Sequence, residues 1–170
     1  MYRITGIDWS QINGIDVLTA QTVIAECGAD LSVFPSEKQF TSWLGLVPTH
    51  EQSGGKILKR RTRKVVNRAT VAFRNAAATL LRSQSYLGAQ YRRLRTRLGA
   101  PAAITAMARK LACLFYRLIK HGQQYVDKGM EYYEQRHREH QIRSLLKRAQ
   151  KAWFPISYPK DRLKVSGEKL

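Results

Sequence analysis

From Ala103 to Ile119 the apolar side chains Ile104, Met107, Leu111, Leu114, Phe115 and Leu118 recur at the spacing that gathers them on one face of an α-helix. Pro101 falls where the first turn of a helix tolerates it, and Gly122 follows the last apolar position as a stop. This is the strongest structural signal in the chain, and it predicts a mainly α fold.

Weaker patterns of the same kind fill most of the remaining sequence. Val17 to Cys27 follows Asp16, a good N-cap, and precedes Gly28, a residue suited to the left-handed position where helices end. Ser36-Glu37 caps a second short helix, Lys38 to Leu44, whose Phe40, Trp43 and Leu44 are expected to face the first; Gly45 ends it and Pro48 prevents continuation. An Ala-rich helix is predicted over Val65 to Arg82, and another from about Leu87 to Leu98, ending at Gly99. Val126 to about Trp153 reads as a long polar helix of alternating charge, either a solvated arm or half of a dimer contact. Met1 to Ile15 reads as an extended entry segment. Residues 48–63 read as a serine loop, or a small hairpin turning at Gly54-Gly55, and 154–170 as a flexible tail. The expected layout is an entry segment (1–15), a helical domain (16–122), the long polar helix (123–153) and the tail. The domain itself comprises a helix-hairpin-helix-like start (16–47), the serine loop (48–63) and a helical bundle (64–122).

With 170 residues, 44% of them hydrophobic, the chain can bury one core and lacks the length for two large domains. Its formal charge is +18, which attracts polyanions. The distribution is more telling than the sum, because from Gln52 to Val126 there is no aspartate or glutamate at all. Lys56, Lys59, Arg60, Arg61, Arg63, Lys64 and Arg68 cluster after the Ser-Gly-Gly turn, and Arg92, Arg93, Arg95 and Arg97 form a second group. A face meant only for solubility mixes signs, so phosphate contact is the better reading, and nucleic acid the expected partner. Arginine dominance favours bidentate contacts without separating DNA from RNA.

Cys27 and Cys113 are far apart and sit in apolar helical patterns, with neither metal-ligand spacing nor a disulfide framework. No secretory leader and no apolar run of roughly 18 residues is present, so a cytoplasmic, nucleoid-associated protein with no membrane partner is expected.

Gly14 and Gly28 mark turns that would expose backbone N–H groups to a phosphate in a helix-hairpin-helix-like element; the alternative is an ordinary helical hairpin that only packs. Ser53, beside Gly54, Gly55 and Lys56, is the one plausible nucleophile, a hydroxyl on a turn that admits close approach while nearby cations neutralise a phosphodiester. His50 lies three residues away but reads as solvated, and His137 with His140 lacks a third ligand. Neither Asp8 with Asp16 nor Glu26 with Asp30 builds a metal-dependent cleaving centre, so no cofactor is expected in this chain.

Several ordered motifs are more specific: Gly14-Ile15-Asp16, Ala25-Glu26-Cys27-Gly28, Phe34-Pro35-Ser36, Trp43-Leu44-Gly45-Leu46-Val47-Pro48, Ser53-Gly54-Gly55-Lys56, Arg61-Thr62-Arg63, Asn67-Arg68, Leu98-Gly99-Ala100-Pro101 and Arg109-Lys110-Leu111-Ala112. Together, from Ile4 to about Trp153, they resemble the C-terminal domain of RuvC-like, DEDD-type insertion-sequence transposases related to the pilin-gene-inverting recombinase. The resemblance implies transposition and recombination of DNA, with the serine nucleophile mapping onto Ser53 and forming a phosphoserine link. It also implies a separate RuvC-like domain whose four acidic residues bind Mg²⁺, and, in some members, a structured guide RNA. A homo-oligomer, or a hetero-oligomer with full-length transposase, is implied as well. This chain reads as the C-terminal part alone, incomplete as an enzyme without the RuvC-like domain. The alternative is a non-catalytic helix-hairpin-helix binding protein or a dominant-negative transposase fragment.

Overall fold

The computed structural model describes residues 6–122 and 128–151; for residues 10, 50–52, 57–61 and 151 it describes the backbone alone. The expected start of the last helix at Val126, its end at Trp153, and the tail lie outside the described residues.

Six α-helices and one two-stranded sheet occur among the described residues, so the fold is mainly α. The first helix, α1 (Val17–Cys27), begins where the Asp16 carboxylate accepts the Thr19 N–H at 2.7 Å. It ends at Gly28, whose φ of 87° turns the chain away. Ser36 starts α2 (Glu37–Trp43) in the same manner, accepting from the Gln39 N–H. Helix α3 (Arg68–Thr79) begins three residues later than its apolar pattern suggests. The Asn67 side chain accepts the Ala69 N–H at 2.7 Å, which commits Asn67 to an extended N-cap conformation and leaves Val65 and Val66 outside the helix. After a 3₁₀ turn at Leu80–Arg82, Ser85 caps α4 (Tyr86–Leu98). A single residue, Gly99 with φ 79°, separates it from α5 (Ala100–His121). Pro101 occupies the first turn of α5, which runs to a left-handed Gly122. The last helix, α6, spans Gly129–Lys151.

Helix α5 is the hub. It packs against α2, α3 and α4, while α1 lies on α3. Met107, Leu111 and Phe115 of α5 are fully buried together with Phe40 of α2 and Phe73 of α3. Each such aromatic or aliphatic side chain removed from water contributes about 1.5–3 kcal/mol. The rings interlock at edges: Phe40 meets Phe34 at 5.2 Å and Phe73 at 6.3 Å, and Phe73 meets Phe115 at 5.6 Å. Polar ties join distant parts of the core, the Tyr116 hydroxyl donating to the Phe34 carbonyl and the Thr70 hydroxyl to the Leu44 carbonyl, both at 2.8 Å.

Two expectations need correction. The described part of the entry segment is not simply extended: Trp9–Gln11 form a 3₁₀ turn, and Trp9, Ile12 and Ile15 are buried, with Trp9 stacked on Phe115 at 4.6 Å. The three-residue spacing of those side chains suits a 3₁₀ turn, which lays them along one face. Secondly, α1 and α2 make no extended contact with each other. Phe40 and Leu44 enter the core against α3 and α5, and Trp43 stays 37% exposed with its ring 5.3 Å from Phe34.

The described chain divides into two compact units, one ending at Tyr133 and one beginning at Glu134. The first turn of α6 belongs to the first unit, where Tyr133 meets Tyr86 edge-on at 4.9 Å. Within the second, Arg143 reaches Glu139 one turn back at 3.5 Å. No described helix is long and apolar enough to cross a membrane.

Candidate nucleic-acid interface

The Ser-Gly-Gly segment is a β-hairpin. Strand β1 (Pro48–Ser53) pairs antiparallel with β2 (Lys56–Thr62), from Pro48 opposite Thr62 to Ser53 opposite Lys56, with an irregularity between Glu51 and Gln52. Gly54 and Gly55 have φ of 54° and 75°. Positive φ at both turn positions is the geometry that matches the right-handed twist of a hairpin, and it is the reason two glycines stand there. Ser53, Gly54, Gly55 and Lys56 are all exposed, so the candidate nucleophile sits at the hairpin tip. The register sets Lys59, Arg60 and Arg61 opposite Glu51, His50 and Thr49; the side chains of Lys59, Arg60, Arg61, Glu51 and His50 lie outside what is described.

The root of the hairpin is clamped. Gly45, at φ +65°, passes so close beneath the returning chain that a Cβ there would lie 2.5 Å from Val65 Cγ2 and 3.0 Å from the Arg63 carbonyl oxygen. Arg63 donates to the Ser42 carbonyl at 2.8 Å, which satisfies an end-of-helix acceptor of α2 while the side chain stays exposed. Lys64 is exposed beside it, and Arg68 is 87% exposed with Glu26 at 3.6 Å. On α4, Arg93, Arg95 and Arg97 are exposed.

Four residues read from the sequence as nucleic-acid ligands are committed to the fold instead. Arg92 donates to the carbonyls of Ser83 at 2.7 Å and Leu81 at 3.3 Å and reaches the Met130 sulfur, so its guanidinium closes the end of the 3₁₀ turn. Asn67 spends its side-chain oxygen on the α3 cap. Gly14 permits close packing, since a Cβ there would lie 2.9 Å from the Ala76 carbonyl oxygen and 3.0 Å from Leu80. The Gly28 N–H already donates to the Ile24 carbonyl at 2.9 Å and is not free for a phosphate.

The structure adds a basic face that the two clusters read from the sequence do not include. Arg109, Lys110 and Arg117 of α5 lie close enough to Glu37 to hold its carboxyl below the usual range. The chief cause is the Arg117 hydrogen bond, in which the guanidinium grips both carboxylate oxygens, at 2.7 and 3.0 Å. The spacing of Arg109, Lys110, Arg117 and Lys120 along one predicted helix is the available signal. Because the Glu37 carboxyl is depressed in the folded protein, its stabilisation is complete above the ordinary value of 4.5 and fades as the pH falls through the lowered one. The pair is partly exposed, at 42% for Arg117 and 32% for Glu37, so solvent screening limits its worth. Glu37→Gln is expected to cost about 0.5–1 kcal/mol at pH 7, with the gap from the parent narrowing as the pH falls below 4.5. Urea titrations at about pH 7 and about pH 3.5 check this; a gap unchanged by acid would show that the cost is not electrostatic.

Other described carboxylates are engaged too. Asp16 is lowered by its bonds to Thr19 and Asp30 by the backbone N–H of Ser32, and Glu26 lies beside Arg68. No group of three or more His, Cys, Asp or Glu able to hold a metal occurs among the described residues. Burial pushes the Cys27 thiol up to about 12 and raises Cys113, which makes both poor nucleophiles. A groove of about 840 Å³ between α1 and α3 is lined by Leu18, Val66 and Val71 together with Asp16 and Glu26. Arg68 is the one cation in that lining, and it lies 3.6 Å from Glu26.

No curated protein and no solved structure matches the chain. Residues 9–92, from the buried Trp9 to the anchoring Arg92 and including the whole hairpin, match the sequence profile of the transposase IS116/IS110/IS902 family.

Proposed function

We propose that this chain is the nucleic-acid-binding part of an insertion-sequence transposase, with Ser53 as the nucleophile of DNA strand transfer. The observation that carries the reading is the clamped hairpin, which holds an exposed serine at the tip of a strand pair rich in lysine and arginine. Phosphate oxygens would be neutralised by Lys56 and the β2 cations, and the exposed arginines of α4 offer further phosphate contacts. In the strand-transfer step Ser53 Oγ bonds to phosphorus, the P–O bond to the neighbouring nucleotide breaks, and the serine proton passes to the leaving oxygen. A serine hydroxyl requires activation at neutral pH. The engaged carboxylates described above do not fit a Mg²⁺ site, so this reading assigns activation to a separate RuvC-like domain.

A second reading, a non-catalytic binding fragment that joins a full-length transposase, is favoured by the same engaged carboxylates. The two part at Ser53. The chain and its Ser53→Ala variant are mixed with a separately expressed RuvC-like domain, Mg²⁺, labelled element-end DNA and any guide RNA, and denaturing gels are read for a protein–DNA adduct. An adduct abolished by Ser53→Ala is the expected result. Salt-sensitive binding with no adduct, beside a full-length relative that forms one, would leave the binding fragment.

A further inference from the structure

Among the described residues, the hairpin makes no extended contact with any helix. A lone two-stranded hairpin is marginal in water. Here it is anchored at one end, where Gly45 lies under Val65 and Arg63 holds the Ser42 carbonyl. At the other end nothing lies within 4 Å of where a Cβ would stand on Gly54 or Gly55. It is therefore a ribbon fixed at its root and open at its tip. Residues 48–62 carry four cations, Lys56, Lys59, Arg60 and Arg61, against the single acid Glu51, a formal excess of three positive charges.

Dimensions narrow the occupant. Seven residues of strand span roughly 20 Å, and two strands lie about 4.8 Å apart, so with side chains the ribbon is on the order of 10 Å across. The major groove of B-form DNA, about 12 Å wide, admits a two-stranded ribbon without deformation; its minor groove, about 6 Å wide, would have to be widened and the duplex bent. The major groove of an A-form RNA helix is too narrow and deep for side chains to read. The irregularity at Glu51/Gln52 increases the local right-handed twist, as a ribbon following a groove requires. Ser53, opposite Lys56 at the tip, stands clear of helix packing, so the ribbon can bring it to a groove wall where a phosphate stands.

From this geometry and charge we infer that the ribbon Pro48–Thr62 enters the major groove of B-form DNA, making duplex DNA the polymer this element is shaped for. The inference rests on the nucleic-acid reading above, and the test separates the two. Binding of the full chain is measured to one random-sequence DNA duplex, to the same duplex with glucosylated 5-hydroxymethylcytosine in place of cytosine, and to the matching RNA duplex. Glucosylation fills the major groove and spares phosphates and minor groove. The chain is expected to bind the plain DNA at least about tenfold more tightly than either of the others. The double variant R60Q/R61Q loses that preference, whereas R95Q/R97Q weakens binding to all three duplexes and keeps it. Equal affinity for all three duplexes, or tighter binding of RNA, overturns the inference while leaving nucleic-acid binding intact. Failure to bind any of them overturns both.

Discussion

Phe40→Ala is expected to destabilise the protein by about 3–5 kcal/mol, the range for emptying a closed aromatic site. Phe40 is fully buried and joins three parts of the chain, meeting Phe34 from the preceding turn, Phe73 from α3 and Tyr116 from α5. None of those neighbours is free to collapse into the void: Phe73 is pinned against Phe115, and Tyr116 holds the Phe34 carbonyl. Against a total stability on the order of 5–15 kcal/mol, the loss is a large fraction. A fall in Tm of about 6–20 °C follows for a chain of this size. The same change loosens α2, whose end, together with the residues just after it, Ser42 to Gly45, holds the hairpin root, so hydrogen exchange in β1 and β2 should quicken together with that of α2. Thermal and urea unfolding measure the first effect. A cost below about 1.5 kcal/mol would mean that the ring cluster repacks and that α2 is not a rigid base for the hairpin.

The second large effect separates arginines that the sequence presents as one group. Neutralising Arg93, Arg95 and Arg97 together is expected to flatten the dependence of log affinity on log salt by about 2.7, near 0.9 for each phosphate left without its cation. Binding to duplex DNA at about 0.1 M salt should weaken on the order of a hundredfold or more, with only a small fall in Tm, because all three side chains are exposed and Arg93 alone gives up a hydrogen bond, to Tyr133. Arg92→Ala should do the reverse. It strips the Ser83 and Leu81 carbonyls of their donor and is expected to cost about 1–3 kcal/mol of stability while leaving the salt slope unaltered. Salt-titrated binding and thermal melts on both variants decide it. A flattened slope with Arg92→Ala and none with the triple variant would reverse the assignment of this helix face.

These contrasts show where sequence is a sufficient guide. The α1 and α2 starts, the Gly99 corner and the Gly122 stop were all legible, because each depends on a residue acting on backbone within about four positions of itself. The amphipathic run of α5 also named its buried face correctly, for the same local reason. The sequence leaves the hairpin open between loop and strand pair, since its short β1 and basic β2 lack the alternation that marks a strand with one buried face. That alternation is missing because neither strand has a helix to pack on.

What the sequence determined by itself is a mainly helical chain whose positive charge from Gln52 to Val126 is unrelieved by any acid. Tertiary structure decided which of those charges face outward. Arg92 and Arg95 are three residues apart on one helix and indistinguishable by type, yet one is drawn to carbonyls nine and eleven positions back and the other is left to solvent. Gly14 is likewise a turn residue by sequence and a packing residue by its closeness to Ala76 and Leu80. Such assignments depend on which segments distant in the chain are brought together, and that is settled by the burial of Phe40, Phe73 and Phe115 around α5 rather than by any residue's neighbours.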